Sequence, residues 1–502
     1  MRSLDAQQYQ PPAAHMRTRQ ALGQESAADA EQDRLQLGVG VRYRKVAAMH
    51  GRDAHQHGAA GLANPIPRDL LFTPWEKLYR EPFVGITTDG RAQPGLFSLA
   101  PNGAPTDAMV AATLRLIERL SPEARAALMF PVDAREWWRW NNTEMYAFKV
   151  GLRLEEVSLA VREEILAVMR ASLSARGFDK SRDVMRLNHF LGELAMNTRV
   201  LGEWSYNFSL FGAPSATEPW GWQLSGHHLA LNCFVLGGQL VLSPAFMGAE
   251  PNYADTGPFA GTRLFEDEEN RGLALMRALT DAQRAQAILF HSNAAADLPP
   301  GRRHRADQLH LGSAFQDNRL VPFEGVEVAR FSQAQRKALL DLVNAYVEPL
   351  PAGPLKARME EVERHLDATH FCWIGGTGED DTFYYRIQSP VVMIEFDHHS
   401  GVFLTNELPA KFHIHTIVRT PNGNDYGMDW LRMHYAQDHH EGTQPGVHSD
   451  AAGHKTEHQY RAIEKQQHGI GPQQKRHTHH GHSHPEYDGH SHDHTHGDHH
   501  HA

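Results

Sequence analysis

Two phrases late in the chain carry the residue types from which metal and acid–base sites are built. "MIEFDHH" ends at His399, and "FHIHTIVRTPNGNDYG" runs over residues 412–427. Both read as β-strands. Side chains alternate across a strand, so His413, His415, Ile417 and Arg419 share one face of the second strand, and Glu395, Asp397 and His399 share one face of the first. If the two pair as an antiparallel hairpin, one register joins the carboxylate-and-histidine face to the His-x-His face. Zinc, iron and manganese sites use such imidazole and carboxylate donors, at roughly 2.0–2.2 Å. Two histidines and one carboxylate leave coordination positions open for water or substrate, which is the catalytic arrangement. The expected ligands are therefore His413, His415 and His399, with Glu395 and Asp397 as further ligands or general base. Arg419 and Asn424 are placed to orient an anionic group. The plainer alternative is a sheet whose histidines bond neighbouring carboxylates.

A second stretch, "PWGWQLSGHHLALN", holds adjacent His227 and His228. Read as continuous strand, it puts Gln223, Ser225 and His227 on one parity and Trp222, Leu224 and His228 on the other, so only one histidine can point into a given cavity. The surroundings are apolar, and a buried imidazole needs partners. This makes His227 a candidate ligand and His228 a candidate base. His189 and Glu193, at i and i+4 of a helix, form a weaker pair whose ordinary role is a surface contact. "REWWRWNN" supplies Trp137, Trp138 and Trp140 with Arg135, Arg139, Asn141 and Asn142, either a stacked cleft or a buried aromatic anchor. The last residues, "HTHHGHSHPEYDGHSHDHTHGDHHHA", form a low-complexity tail suited to loose Zn²⁺ or Ni²⁺ binding. No dinucleotide-binding glycine motif, Walker loop, His-Glu-x-x-His or Gly-x-Ser-x-Gly is present. The His-x-His lacks the glutamate of a cupin motif and falls too late for the first strand of an amidohydrolase barrel.

The elements that must hold these residues are legible in outline. Helices are expected at "LSPEARAALMF", "LRLEEVSLAVREEILAVMRASLSARG" (one long helix stopped by Gly177), "SRDVMRLNHFLGELAMN", "LTDAQRAQAIL" and "FSQAQRKALLDLV". Ser121 with Pro122, Thr280 with Gln283 and Ser332 with Gln335 are the start signals. The phrases beginning "LSPEAR", "LTDAQR" and "FSQAQR" look alike, which similar helix starts explain. Strands are expected around "SYNFSLFG", "GWQLSGHHLALNCFVLGG", "QLVLSPAFMG", "DTFYYRIQSP", "VVMIEFDHH" and "KFHIHTIVRT", with a hairpin turn at Gly237-Gly238 and a break at Pro390. Helices and strands come in blocks, which predicts an α+β fold with a mainly antiparallel sheet. Residues 1–65 read as a disordered extension, 66–440 as one domain, and 441–502 as a disordered His-rich tail.

Composition limits the partners. At 502 residues with 41% hydrophobic content there is ample core. A formal charge of −11 argues against nucleic acid or an anionic membrane surface. Two cysteines, Cys233 and Cys372, exclude a disulfide framework. With neither a secretory h-region nor a long apolar run, the expected location is cytoplasmic.

The phrases "EPFVGITTDGRAQPGLFSL", "FGAPSATEPWGWQLSGHHLALN", "PAFMGAEP", "VMIEFDHHSGV" and "HIHTIVRTPNGNDYG" resemble the family catalogued as domain of unknown function 3500. The resemblance spans roughly residues 70 to 440 and implies one large domain with the tails outside it. It carries no catalytic residues over. From the residues themselves, the expected function is a metal-dependent enzyme, leaning hydrolytic, acting on a small polar substrate. Zn, Fe or Mn would sit in the core. The alternatives are a non-catalytic metal- or ligand-binding protein with a metal-buffering tail, and a mononuclear iron oxygenase.

Overall fold

The alternating segments all enter one sheet. The computed structural model describes residues 51–440, with side chains to 437. Its strands are β1 (Met129–Phe130), β2 (Leu152–Arg153), β3 (Tyr206–Phe211), β4 (Trp220–Gly226), β5 (Leu229–Leu236), β6 (Gln239–Ala249), β7 (Ile288–Phe290), β8 (Val326–Glu327), β9 (His370–Gly375), β10 (Phe383–Gln388), β11 (Met393–His398) and β12 (Ile414–Arg419). The order across the sheet is β1-β3-β4-β5-β6-β12-β11-β10-β9-β7, with β2 also on β3 and β8 also on β9. Only the short outer strands β1 and β7 pair in parallel; the other pairings are antiparallel. The expected α+β class with a mainly antiparallel sheet is what the chain adopts.

The same order of elements occurs twice. Helices Thr106–Glu118 and Pro122–Leu128, strands β1 and β2, helices Leu159–Ser172 and Ala175–Leu194, and the meander β3 to β6 make the first half. Helices Glu266–Ala278 and Asp281–Ala287, strands β7 and β8, helices Gln333–Val347 and Ala352–Arg364, and the meander β9 to β12 make the second. In each half the first helix packs on the third. The halves join through the antiparallel β6–β12 pair, where Met247 faces Thr416. This changes the reading of the similar phrases. "LSPEAR" and "LTDAQR" are equivalent helix starts, capped by Ser121 and Thr280. "FSQAQR", capped by Ser332, corresponds instead to the helix that Ser158 caps.

The core is aromatic. Trp137 stacks on Phe211 with centroids 3.7 Å apart, and Tyr385 lies parallel to Phe396. β5, β11 and β12 are buried along their whole length. Each such buried apolar side chain contributes about 1.5–3 kcal/mol.

Three local expectations are corrected. The long helix expected to end at Gly177 is two helices. It breaks at Leu173, and Ser174 caps a new helix by accepting from the amide of Gly177. Gly177 is there because a Cβ would fall 2.4 Å from the Cα of Pro349. The residues read as one strand across His227-His228 form a hairpin, with the two histidines as its turn between β4 and β5. Within the segment expected to be an extension, Ala54–Ala63 is a helix with a capping box from Asp53 and Gln56; residues 1–50 and the His-rich tail from 441 lie outside the described residues.

Candidate metal centre

The β11–β12 register is the one that joins the two polar faces. Asp397 faces His415, and the amide of His399 donates to the carbonyl of His413. On the other side of β12, His415 faces Gly248 of β6, whose amide donates to the carbonyl of His228. One row across the sheet therefore reads Asp397, His415, Gly248, His228. The glycine is the reason two imidazoles from strands that do not touch can meet. A Cβ at residue 248 would lie 2.8 Å from Cδ2 of His415, 3.0 Å from Cδ2 of His228 and 3.0 Å from the carbonyl oxygen of Ile414. Gly248→Ala is accordingly expected to push one ring away, with a loss of about 1–3 kcal/mol from overpacking and of about 10–100-fold in Zn²⁺ affinity; chemical denaturation and a competing chromophoric chelator measure the two.

His228, His413 and His415 are all buried, and one ring nitrogen from each lies within 4.8 Å of the others. The closest pair is Nε2 of His413 and Nε2 of His415, at 3.1 Å. Nitrogens bound to one tetrahedral zinc stand roughly 3.4 Å apart, so His413 and His415 already stand near ligand spacing. Nδ1 of His413 donates to the carbonyl of Ser400 at 3.0 Å, which leaves its Nε2 with the lone pair. Burial, then the neighbouring imidazoles, hold His228 and His415 well below the usual histidine range, so both are neutral, the form that binds metal. The turn that presents His228 is strained. Its φ is +64°, where Asn or Gly is ordinary in a two-residue hairpin and a histidine costs about 1–3 kcal/mol.

A second ring of polar groups surrounds the trio. His399 packs on His415 with centroids 3.7 Å apart, and its Nε2 lies 3.1 Å from Oδ2 of Asp397. His227 stacks on His228, also at 3.7 Å, and Nδ1 of His227 pairs with Oδ1 of Asn188 at 2.8 Å. Burial pushes His227 down to about 4, against the pull of the Glu144 charge. Asn142 ties two members together: its Oδ1 accepts from the amide of His228, and its Nδ2 sits 3.5 Å from Nδ1 of His415. His310 completes the group, its ring 5.9 Å from that of His399 and 6.3 Å from that of His415.

Not every expected site residue joins the cluster. Glu395 is turned to structure: its oxygens accept from the amides of Leu311 and Gly312 and from the hydroxyl of Tyr384. Asp397 accepts from the amide of Leu309. Together these carboxylates clamp the loop that presents His310. Arg419 is buried with its donors engaged by the carbonyls of Gly312 and Ser313 and the carboxylates of Asp317 and Asp425. Asn424 accepts from the amide of Trp430. His189 and Glu193 are a partly exposed pair at 3.8 Å. Trp137 and Trp140 are buried anchors, with Trp140 donating to the hydroxyl of Tyr426.

The sequence reading missed Asn142 as a tether, Gly248, His310 and Glu250, whose carboxylate accepts from the amides of Val402, Phe403 and Leu404 and lies 3.6 Å from Nδ1 of His413. The only sequence sign of His310 is its place in the glycine-containing phrase "HLGSAF", which has no period to assign it a face. Cys233 and Cys372 are buried free thiols. Among the described residues no helix is long and apolar enough to cross a membrane.

Comparison with known proteins gives one finding. Residues 102–428 match the family described as protein of unknown function (DUF3500). No curated protein and no solved structure matches. The matched span holds the whole sheet and every histidine of the cluster, and the chain belongs to the DUF3500 family.

Proposed function

We propose that the protein is a metal-dependent enzyme, with His228, His413 and His415 as the ligands of a divalent cation and a small polar molecule as substrate. One observation carries this reading: three buried imidazoles, from a strained turn and a neighbouring strand, converge over a glycine at the junction of the two halves. An all-imidazole set suits Zn²⁺, with Fe²⁺ next, and favours Mn²⁺ less. Bound there with a position open, the cation supplies Lewis acidity and activates water, so hydrolysis is the reaction class we assign, ahead of an iron oxygenase. Asp397 and His399 stand beside it. A small polar cleft lined by Arg139, Glu144, Tyr146, Arg153, Ser225 and His227 adjoins the site through the stack of His227 on His228. Buried free thiols fit a cytoplasmic protein.

The test is elemental analysis of the chain ended near residue 445, without the His-rich tail, after dialysis against a weak chelator. At least about one ion retained per chain is expected; a folded, metal-free protein that takes up no added Zn²⁺ would overturn the reading.

A second reading has its own observation. With Asn142 donating to His415, His415 to His413, and His413 to Ser400, the same rings close a metal-free hydrogen-bond chain. In that case the domain is a non-catalytic scaffold and metal binding belongs to the tail.

A further inference from the structure

Beside the trio, buried polar atoms remain without hydrogen bonds. Nδ1 of His399 and Oδ1 of Asp397 have no partner, Nε2 of His399 meets only the Asp397 carboxylate, and the ring of His310 meets only the backbone of His415. These residues, His399, Asp397 and His310, are 1%, 0% and 1% exposed. A buried polar group left unmade costs about 1–3 kcal/mol, and native interiors contain few of them. Here such under-partnered atoms are gathered on three neighbouring residues. They are also held in place. Oδ2 of Asp397 takes the amide of Leu309, which fixes the carboxylate and leaves Oδ1 directed elsewhere. Glu395 takes the amides of Leu311 and Gly312, so His310 stands between two anchored residues. The 3.1 Å between Nε2 of His399 and Oδ2 of Asp397 is close to the spacing of two donors on one ion.

We propose that Asp397, His399 and His310 hold a second divalent cation next to the one assigned to His228, His413 and His415. The proposal rests on that first assignment. The contact of His399 with His415, at 3.7 Å between ring centres, makes the two sites adjoin, and paired catalytic cations commonly stand about 3.5–4 Å apart. One imidazole-only site and one mixed nitrogen–oxygen site give the pair unequal affinities, with the trio filling first. Such a pair recognises a substrate oxygen that can bridge two cations, which narrows the substrate class to phosphoryl, carboxyl or amide compounds.

Cobalt(II) added to the full chain and followed by electron paramagnetic resonance tests this. Ions on the tail give a background that does not depend on core residues. The expected result is an uncoupled signal at low loading that depends on His413, then a spin-coupled pair as loading rises. Asp397→Asn keeps an acceptor for the Leu309 amide, so it preserves the loop. It and His310→Ala are each expected to abolish the coupling and retain the first signal. An uncoupled signal at all loadings, unchanged in both variants, would overturn the second site and leave the first. Absence of any signal dependent on His413 overturns both.

Discussion

His415→Ala is expected to empty the core of tightly held metal while the protein stays folded. His415 is the member in contact with the most neighbours of the cluster: its Nε2 lies 3.1 Å from that of His413, and its ring touches those of His228 and His399. Removing it leaves two imidazoles, too few for a site that holds zinc through dialysis. Its ring fills the space that Gly248 leaves open, so truncation to alanine removes side-chain atoms and keeps the backbone ladder of β12. Metal that binds only the folded state stabilises it by about 4 kcal/mol at a thousandfold excess over the dissociation constant. The tail-free parent is thus expected to gain several degrees in Tm on adding Zn²⁺, and His415→Ala much less. His227→Ala separates the layers. His227 touches His228 through stacking, so this variant is expected to keep the metal with affinity reduced about 10–100-fold. Equal Zn²⁺ responses in parent and His415→Ala would refute the site.

The largest loss of stability is expected from Arg419→Ala. Arg419 is fully buried and its guanidinium meets Asp317 at 2.7 Å and Asp425 at 3.1 Å. Burial works to lower its pKa, and the two carboxylates more than reverse that, so it stays charged throughout the accessible range. Removing one partner of a buried ion pair leaves the other charge uncompensated, at about 3–5 kcal/mol. Urea denaturation at neutral pH is the measurement, and a loss below about 1 kcal/mol would contradict the geometry. The sign with pH follows. Burial raises Asp425 above the usual carboxylate range even with Arg419 present. An acid whose folded pKa is raised favours the folded state as it takes up its proton, so the deficit of the variant is expected to shrink as pH falls. Because Arg419 also donates to the carbonyls of Gly312 and Ser313, the variant should loosen the loop bearing His310. The trio has no such tie to Arg419, so the first metal is expected to remain.

The two ends of the central strand pair carry different chemistry. Around the β6–β12 join, one end gathers the histidines and the other gathers Arg419, Asp425 and Ser243, whose hydroxyl donates to Asp425 at 2.6 Å. The first arrangement leaves nitrogen lone pairs directed inward; the second satisfies every charge. That contrast is the physical ground for placing chemistry at one end and structure at the other.

Much of the framework followed from local pattern. Period-two alternation puts Asp397 and His399 on one face of their segment and His413 and His415 on one face of theirs, because side-chain direction in a strand is set by the backbone of that strand. The caps at Ser121, Thr280 and Ser332 are local hydrogen bonds and were readable for the same reason. The tertiary structure decided what depends on contacts distant in the chain. Alternation could not choose between His227 and His228, since a left-handed residue at 228 turned an apparent strand into a hairpin. Nor could it show that Gly248 clears the space where His228 meets His415, as their partnership exists only after β5, β6 and β12 are laid side by side. Glu395 and Arg419 have the chemistry of site residues, and only the packing of the 309–317 loop revealed that their hydrogen bonds were already taken. His310, on that loop and without a period of its own, reaches the cluster because two buried carboxylates hold its neighbours' amides.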